Sequence, residues 1–385
     1  MKHRYRFTLY MPMLVLVAWL QADASIAQDL TPNQRTAISA IEQLGAKVTV
    51  IDSDGDVSTE VFLSDHRTND VAKAVSLLHT LPKCRELVTY WATITNDELA
   101  VIGRLDDLQT LKLSDSFTCR NSKISDEGIR HLSNLKQLRI LYLARTRITD
   151  DGLRHIRALR NLEEIDISNT VVGSRGIAHL RNLESITALN LAGTRIDDSG
   201  LIQLGKLHKL ETLSLGGTQI SGTEISQLSQ LKNLVDLDLD STPITDLTCL
   251  KLAKLKTLNR LSLNDTRVTD DATGSLAKLT NLSELALHWT FVTDDGKKVI
   301  NRALPNLEIQ TGTRLPDKDV DAIKRLLNAN YEFEGEILGM ETLQSGDVDV
   351  MTGEISGPLS GGGLIFTLRK TEKTWKVVGR SSWVS

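Results

Sequence analysis

The chain has 385 residues, of which 41% are hydrophobic and 24% charged, a balance typical of a globular protein with a large buried core. The formal net charge of -4 excludes the class of strongly basic nucleic-acid-binding proteins. Three cysteines without a C-x-x-C spacing give no pattern for a zinc or redox site.

The first 27 residues have the order of a secretory signal peptide. Basic residues at positions 2–6 precede the apolar run 7–20, and small residues follow that end at Ala24 or Ala27. The run is short for a membrane span. We therefore expect an exported protein, periplasmic, cell-surface or secreted, with no membrane span after signal cleavage; an uncleaved anchor is the alternative.

Residues 28–56 read as a helix followed by a hairpin. Thr31, Pro32 and Gln34 form the start of a helix, with a capping box and proline at the first helical position. Asp54-Gly55 then marks a turn between two strands. We expect this segment to cap the unit that follows it.

The same turn offers a calcium alternative, because Asp52, Asp54 and Asp56 have the spacing of a calcium-binding loop. However, the sixth position of that loop would be Val57 instead of glycine, and the twelfth would be Leu63 instead of glutamate. The residues favour a hairpin turn, with weak calcium binding as the alternative.

Residues 57–312 repeat a single pattern, L-x-x-L-x-L-x-x-T-x-[IV]-[TS]-D. Regular copies begin 24 residues apart, at Leu138, Leu162, Ile186, Leu210, Leu234, Leu258 and Leu282. Each copy contains a short alternating strand and then a helical stripe, and neither can bury its apolar face alone. We expect a parallel sheet on the concave side of a stack and helices on its convex side. Cys84 and Cys249 occupy leucine positions of the pattern, which predicts two buried cysteines; Cys119 lies in an insertion.

The polar residues that recur in each copy of the pattern are predicted to be structural. Thr149 and Asp150 come just before the helical stripe, where side-chain oxygens cap a helix start. A threonine follows each strand, and its hydroxyl is expected to bond neighbouring backbone; these threonines are Thr146, Thr170, Thr194, Thr218, Thr242, Thr266 and Thr290.

With these motifs, residues 57–312 resemble the leucine-rich repeat family. The motif "ITDDGL" is similar to the repeats of bacterial surface leucine-rich proteins and of eukaryotic F-box leucine-rich proteins. The segment before the repeats does not resemble an F-box. The resemblance implies a horseshoe that binds a protein, or sometimes another ligand, on its concave face. It does not imply catalysis.

Residues 316–385 are predicted to form a small α+β domain, one helix on an antiparallel meander. This domain loosely resembles the cystatin or NTF2-like group. The stretch "GPLSGGG" (357–363) lacks the Gly-Lys-Ser/Thr ending of a phosphate loop and precedes a strand, which favours an ordinary loop. Trp375 and Trp383 are expected to fill the core of the domain.

Side chains between the leucines of each strand point to the concave face, and they supply the candidate binding residues. Asp236, Asp238 and Asp240 form an acidic strip at a spacing of two. The other candidates are Tyr142, Glu164, Asp166, Asn190, Arg260, Asn264, His288 and Trp289, with Tyr90 and Trp91 further along the sheet. A divalent cation on the strip is a minor alternative, because carboxylates on one strand stand too far apart to converge.

These observations predict a non-enzymatic scaffold that recognises a protein or peptide partner of basic character, with no cofactor and no resident metal. No dinucleotide, serine-hydrolase or zinc-protease motif is present in the sequence. The alternatives are a structural cell-envelope protein and an enzymatic or ligand-binding activity in the C-terminal domain.

Overall fold

The structure is a computed structural model, and it describes residues 30–53, 55–64, 68, 70–90, 92–114, 122–311, 322–323, 325–327, 336–342, 348–355, 361–371 and 374–384. The chain divides into two compact units, with a boundary in the sequence between Gln310 and Thr311. The predicted signal peptide, Trp91, Cys119 and the side chains of Tyr90 and Trp383 lie outside the described part of the chain. Within that part, no helix is long and apolar enough to cross a membrane.

The first unit begins with the predicted helix and hairpin. Helix α1, Pro32–Gln43, starts with the capping box between Thr31 and Gln34. Strands β1, Lys47–Ser53, and β2, Asp56–Ser64, pair antiparallel. Between them Gly55 adopts a φ of 85°, the left-handed conformation that glycine enters without a steric cost.

The carboxylates of the proposed calcium loop have protein partners. Asp52 Oδ1 accepts a hydrogen bond from the Gly55 amide at 2.7 Å. Asp56 forms ion pairs with Lys83, at 2.5 Å, and with Arg85. Both cations hold the pKa of Asp56 below its ordinary value. The hairpin interpretation therefore accounts for Asp52 and Asp56, while Asp54 lies outside the described residues.

From β2 onward the strands are parallel, and every strand pairs with the next one along the chain. Together with the antiparallel β1 they form a twelve-stranded sheet in sequence order. The remaining strands are β3 Cys84–Tyr90, β4 Thr110–Ser114, β5 Ile140–Tyr142, β6 Glu164–Asp166, β7 Ala188–Asn190, β8 Thr212–Ser214, β9 Asp236–Asp238, β10 Arg260–Ser262, β11 Glu284–Ala286 and β12 Glu308–Gln310. Pairing is in register at a 24-residue interval from β5 to β12.

Short helices connect the strands on the other side of the sheet. They are α2 Val71–Leu77, α3 Asn96–Ile102, α4 Asp126–Ile129, α5 Asp150–Ile156, α6 Ser174–Ile177, α7 Asp198–Leu204, α8 Asp246–Leu252, α9 Thr273–Leu276 and α10 Asp294–Ala303. Four further turns are 3₁₀ helices, at Leu78–Thr80, Arg130–Asn134, Ile225–Gln230 and Asp270–Ala272. The unit is a leucine-rich repeat solenoid, with the sheet on its concave side.

The apolar positions of the pattern form one continuous core. In a single repeat, Leu138, Leu141, Leu143, Leu153 and Ile156 are fully buried. Cys84 and Cys249 are buried as well, which confirms their prediction as small apolar residues. Burial raises the pKa of each thiol to about 12, so both stay protonated at neutral pH.

Each strand from β5 to β11 is followed by a tight bend that uses two special positions. The predicted threonine is buried, and its hydroxyl donates to the carbonyl three residues earlier, for example from Thr266 to Leu263 at 2.6 Å. One residue before it, the backbone has a positive φ at Arg145, Asn169, Gly193, Gly217, Ser241, Asp265 and Trp289. Only two of these are glycine, so the other five carry the strain of a left-handed conformation.

The helix starts follow the prediction only in part, because Ser125 and Thr245 cap their helices without a side-chain hydrogen bond. Thr149 caps its own helix as expected, because its hydroxyl accepts from the Asp151 amide at 3.2 Å. The following aspartate instead reaches sideways to the next repeat. Asp150 accepts from the Gly173 amide at 2.6 Å.

This sideways contact recurs along the stack. Asp126 binds Thr149, Asp198 binds Ser221, Asp246 binds Thr269 and Asp270 binds Thr293. In most of these pairs the carboxylate accepts from both the backbone amide and the side-chain hydroxyl of its partner. Every such aspartate therefore joins two repeats at the point where a helix begins.

The second unit contains a four-stranded antiparallel meander. Its strands are β13 Glu336–Thr342, β14 Val348–Ile355, β15 Gly361–Lys370 and β16 Trp375–Val384. Residues 322–323 and 325–327 are helical, and Ile323 and Leu327 pack with Val350, Phe366 and Trp375. Trp375 is buried, as predicted, and Gly361–Gly363 of the glycine-rich stretch belong to β15.

Replacing Asp246 with alanine tests the sideways contact. The change removes its bonds to the Thr269 amide and hydroxyl, at 2.7 and 2.9 Å. We expect the free energy of unfolding to fall by about 1–3 kcal/mol, because a helix-start amide and a hydroxyl lose their partner. Denaturant unfolding measures the loss.

The matched control is Asp271→Ala, which removes an exposed carboxylate at the start of the next helical turn. It should cost less than about 0.5 kcal/mol. Equal losses for the two variants would show that the contact between repeats contributes nothing.

Candidate functional site

The outward side chains of the sheet form one row across seven strands. In register, the row runs through Tyr142, Asp166, Asn190, Ser214, Asp238, Ser262 and Ala286. Neighbouring strands lie about 4.8 Å apart, so the row is about 29 Å long. We call this surface, with the residues beside the row on β5–β11 and on the turns that follow, the sheet face.

One end of the sheet face is organised around Tyr142. The ammonium group of Lys112 lies over the tyrosine ring, 5.0 Å from its centroid. The Tyr142 hydroxyl donates to the carboxylate of Glu164 on the next strand. The ring is thus held between a cation and an anion, and it is partly exposed to solvent.

Asp166 and Asn190 form the next group. Asp166 accepts hydrogen bonds from the Ser168 amide at 2.9 Å and from the Asn190 side chain at 3.1 Å. Asn190 in turn accepts from the Ala192 amide at 3.1 Å. Burial raises the pKa of Asp166, and the bonds from Ser168 and Asn190 offset part of that rise.

The acidic strip contains one carboxylate with an internal cation. Asp236 pairs with Arg260 on the adjacent strand, with the Nη2 and Nε atoms of Arg260 at 2.5 and 3.0 Å from one carboxylate oxygen. The two side chains retain 18% and 19% of their exposure, so the pair is largely shielded from water. Arg260 therefore neutralises the charge of Asp236 within the sheet.

The other two carboxylates have neutral partners. β9 ends at Asp238, so Asp240 lies just beyond the strand. Asp238 accepts from the Ser214 hydroxyl at 2.6 Å and from the Asp240 amide at 2.9 Å. Asp240 accepts from the Ser262 hydroxyl at 2.5 Å and from the amide and side chain of Asn264 at 2.8 and 3.0 Å.

Burial without a cation partner changes the protonation of this pair. Burial raises the pKa of Asp238, and the charge of Asp236 adds to the rise. Burial and the charge of Asp238 raise the pKa of Asp240 to about 7. Near neutral pH the strip therefore carries less negative charge than three aspartates in the sequence suggest.

His288 and Trp289 lie at the far end of the sheet face. The His288 amide donates to Asn264 at 2.7 Å, which connects this end to the network around Asp240. The two rings are tilted by 47° with centroids 5.8 Å apart, and both are partly exposed. Trp289 has a φ of 57°, so its ring projects from a left-handed turn residue.

The structure thus brings the predicted residues into four groups, at Tyr142, at Asp166 and Asn190, at the acidic strip and at Trp289. Sequence reasoning missed Lys112 and Ser214, although a one-repeat shift from Asp238 points to Ser214. Among the described residues, no three His, Cys, Asp or Glu side chains gather around a point that fits a metal ion. A surface hollow lined by Arg35, Thr36, Ser39, Ala40 and Gln43 lies against α1 and contains no carboxylate or histidine.

The raised pKa of Asp240 predicts a specific pH dependence. The folded chain keeps a proton on Asp240 up to about pH 7, whereas the unfolded chain releases it near the ordinary value of 3.8. The folded state binds more protons in this window, so the free energy of unfolding should fall as pH rises from 4 to 7. We expect Asp240 to account for a loss of about 3–4 kcal/mol, since each unit of pKa difference is worth about 1.4 kcal/mol.

Denaturant unfolding of the wild type and of Asp240→Asn at pH 5, 6, 7 and 8 measures this dependence. The variant cannot ionise at this position, so its curve should be flatter in that range. Parallel curves for the two proteins would contradict the assigned protonation.

One comparison with known protein families agrees with the repeat geometry. The sequence profile described as "Leucine Rich repeat" matches residues 182–205. No curated protein matches the sequence. Among solved structures, the chain is similar to an internalin from Listeria monocytogenes, with 19% identity, a TM-score of 0.45, and coverage of 74% of this chain and 96% of that one.

A leucine-rich repeat protein from Leptospira interrogans is also similar, with 20% identity, a TM-score of 0.41, and coverage of 62% of this chain and 68% of that one. All these values are low, so the assignment depends on the chain's own 24-residue register, its sheet and the profile match. The chain therefore contains a solenoid of leucine-rich repeats.

Proposed function

We propose that the protein is an exported, non-enzymatic binding scaffold that recognises a protein or peptide partner on its sheet face. The proposed contact residues are Tyr142, Glu164, Asp166, Asn190, Asp236, Asp238, Asp240, Arg260, Asn264, His288 and Trp289. The proposed organisation is a signal peptide at 1–27, a cap at 28–56, repeats at 57–312 and a small α+β domain at 316–385.

The observation that supports this function most is the arrangement of the sheet face. Aromatic groups stand near the two ends of a polar row about 29 Å long. This combination of aromatic anchors and fixed polar groups is typical of protein interfaces. Asp166, Asp238 and Asp240, whose pKa values are raised, all lie on the sheet face. None of them lines the hollow beside α1.

The bonding within the row also indicates how a partner would be recognised. Asp238 and Asp240 already accept two and three hydrogen bonds, so they present a fixed polar surface that needs no rearrangement on binding. Asp240 gains negative charge as pH rises through 7. A partner with basic groups would therefore bind more tightly at pH 8 than at pH 6.

Site-specific photocrosslinking tests which face is used. A photoreactive residue at Thr212 lies in β8, beside the row, and one at Ser226 lies on an exposed position of the helical side. In the exported fraction, we expect Thr212 to capture one partner and Ser226 to capture none. The partner is identified by mass spectrometry and then titrated in purified form. Capture from Ser226 alone would place recognition on the other side of the sheet.

Trp289→Gly provides a variant that removes a proposed anchor without straining the fold. Glycine suits the φ of 57° at this position, and the relief of strain offsets its larger chain entropy. We expect the free energy of unfolding to stay within about 1 kcal/mol of wild type and affinity for the captured partner to fall at least about tenfold.

The matched control is Asp265→Gly, which changes the equivalent turn residue one repeat earlier, at a φ of 50°. Its affinity should remain within about threefold of wild type. If both variants bind as the wild type does, Trp289 has no part in recognition.

A further inference from the structure

The helical side of the solenoid carries two leucines that the core does not use. On α8, Leu247 and Leu250 are 75% and 55% exposed, while Cys249 and Leu252 of the same helix are buried. The helix therefore has the usual register, with its apolar stripe inside. The two leucines are additional apolar side chains on its outer surface.

Other repeats place different residues at these two positions. The equivalents of Leu247 at 24-residue intervals are Asp151, Arg175, Ser199, Thr223, Asp271 and Asp295. The equivalents of Leu250 are Arg154, Ala178, Ile202, Ser226, Gly274 and Lys298, and of these only Ile202 is a large apolar residue, 42% exposed. Stacking of the repeats does not require leucine at either position, because six other repeats stack without it.

Lysines lie just beyond the ends of these helices. Lys254 follows the last residue of α8 by two positions, and Lys206 follows the last residue of α7 by two positions. Lys278 occupies the same place on the next repeat, which packs against α8. All three are exposed, and the ion pairs found among the described residues involve other side chains.

Carboxylates of the same repeats lie at the helix starts, the end that also bears Leu247, whereas Leu250 lies nearer the helix end. Glu224 and Asp271 stand at helix starts, whereas the lysines follow the helix ends. Two more lysines extend the basic edge, Lys232 and Lys256, whose ammonium groups bond only to carbonyls, of Ser229 at 2.6 Å and Lys278 at 2.5 Å. The edge near Leu250 is thus basic although the whole chain has a net charge of -4.

We infer that this leucine–lysine patch, formed by Ile202, Lys206, Leu247, Leu250, Lys254 and Lys278, docks on an anionic lipid surface. Exposed leucines partition into the boundary between headgroups and acyl chains, and lysines beside them bind acidic headgroups. Binding is peripheral and reversible, since so few apolar groups insert. It leaves the sheet face, on the other side of the solenoid, open to a partner.

Two other occupants fit the patch less well. A second copy facing it across a twofold axis would bring lysines against lysines, because such an interface joins identical surfaces. An acidic protein or polymer would use the lysines but not the exposed leucines. Of these three occupants, the anionic membrane uses both features.

Co-sedimentation of the purified full chain with lipid vesicles tests the inference. Vesicles of 70% phosphatidylcholine and 30% phosphatidylglycerol should bind at least about tenfold more tightly than pure phosphatidylcholine, since each lysine near the surface contributes about fivefold. Raising the salt from 0.15 to 0.5 M should weaken binding, because the charge interaction is screened.

Leu247→Ser/Leu250→Ser should reduce binding to the anionic vesicles at least about tenfold, by removing two inserting side chains. Lys254→Gln/Lys278→Gln should have a similar effect on anionic vesicles alone. The control is Val171→Ser/Phe291→Ser, which removes two apolar side chains that are 43% and 50% exposed and lie three residues before a helix begins. It should bind as the wild type does. Thermal unfolding confirms that each variant is folded.

Three results would overturn the inference. The first is unchanged vesicle binding by the double leucine variant. The second is a dimer of the wild type, measured by light scattering, that the leucine variant loses while vesicles bind neither protein. The third is binding of soluble polyaspartate, equal in wild type and leucine variant, without binding to vesicles.

Discussion

Each repeat of this protein is stable only because its neighbours cover it. A three-residue strand and a helix of four to seven residues cannot bury an apolar face by themselves, and both are too short to form in isolation. Stacking gives each strand two hydrogen-bonded neighbours and places the leucines of successive repeats in one core. The aspartates at the helix starts add a polar contact at five of the junctions, as Asp150 does with Gly173.

The same stacking produces the polar surfaces. Because strands pair in register at 24 residues, a residue on the sheet face always meets its equivalents from the repeats before and after it. Asp238 therefore lies beside Ser214, and Asp236 beside Arg260, without any special loop. On the helical side, the same register brings the lysines that follow successive helices to one edge. The proposed binding functions thus depend on residues whose neighbours are fixed by the repeat.

Much of this architecture follows from the sequence, because spacing alone determines it. The leucine positions predicted the strands and the core, and the threonine after each strand predicted the bend, as Thr266 shows. Spacing does not reveal the direction of a side chain. The helix-start aspartates were expected to cap their own helices, yet Asp246 binds Thr269 of the next repeat. The sequence places the oxygens of both the threonine and the aspartate near a helix start. It does not show which of them caps that helix and which bonds to the next repeat.

The protonation state of the aspartates in the acidic strip could not be predicted from the sequence either. Three aspartates at a spacing of two predict a strongly acidic strip, but the charge depends on how deeply each is buried and on which partners it has. Asp236 has Arg260, whereas Asp240 has a serine and an asparagine and a pKa of about 7. The positive φ of the residue before each threonine was also not predicted. Five of these seven residues are not glycine, so the sequence does not indicate a left-handed conformation there.

Hydrogen exchange measures the junctions between repeats most directly. The amides of Thr149, Gly173, Thr269 and Thr293 belong to no helical ladder, and their acceptors are aspartate oxygens of the preceding repeat. If the aspartates join the repeats, these four amides exchange slowly, at rates close to those of the neighbouring strand amides. Exchange as fast as that of exposed loop amides would show that the repeats are not joined in this way.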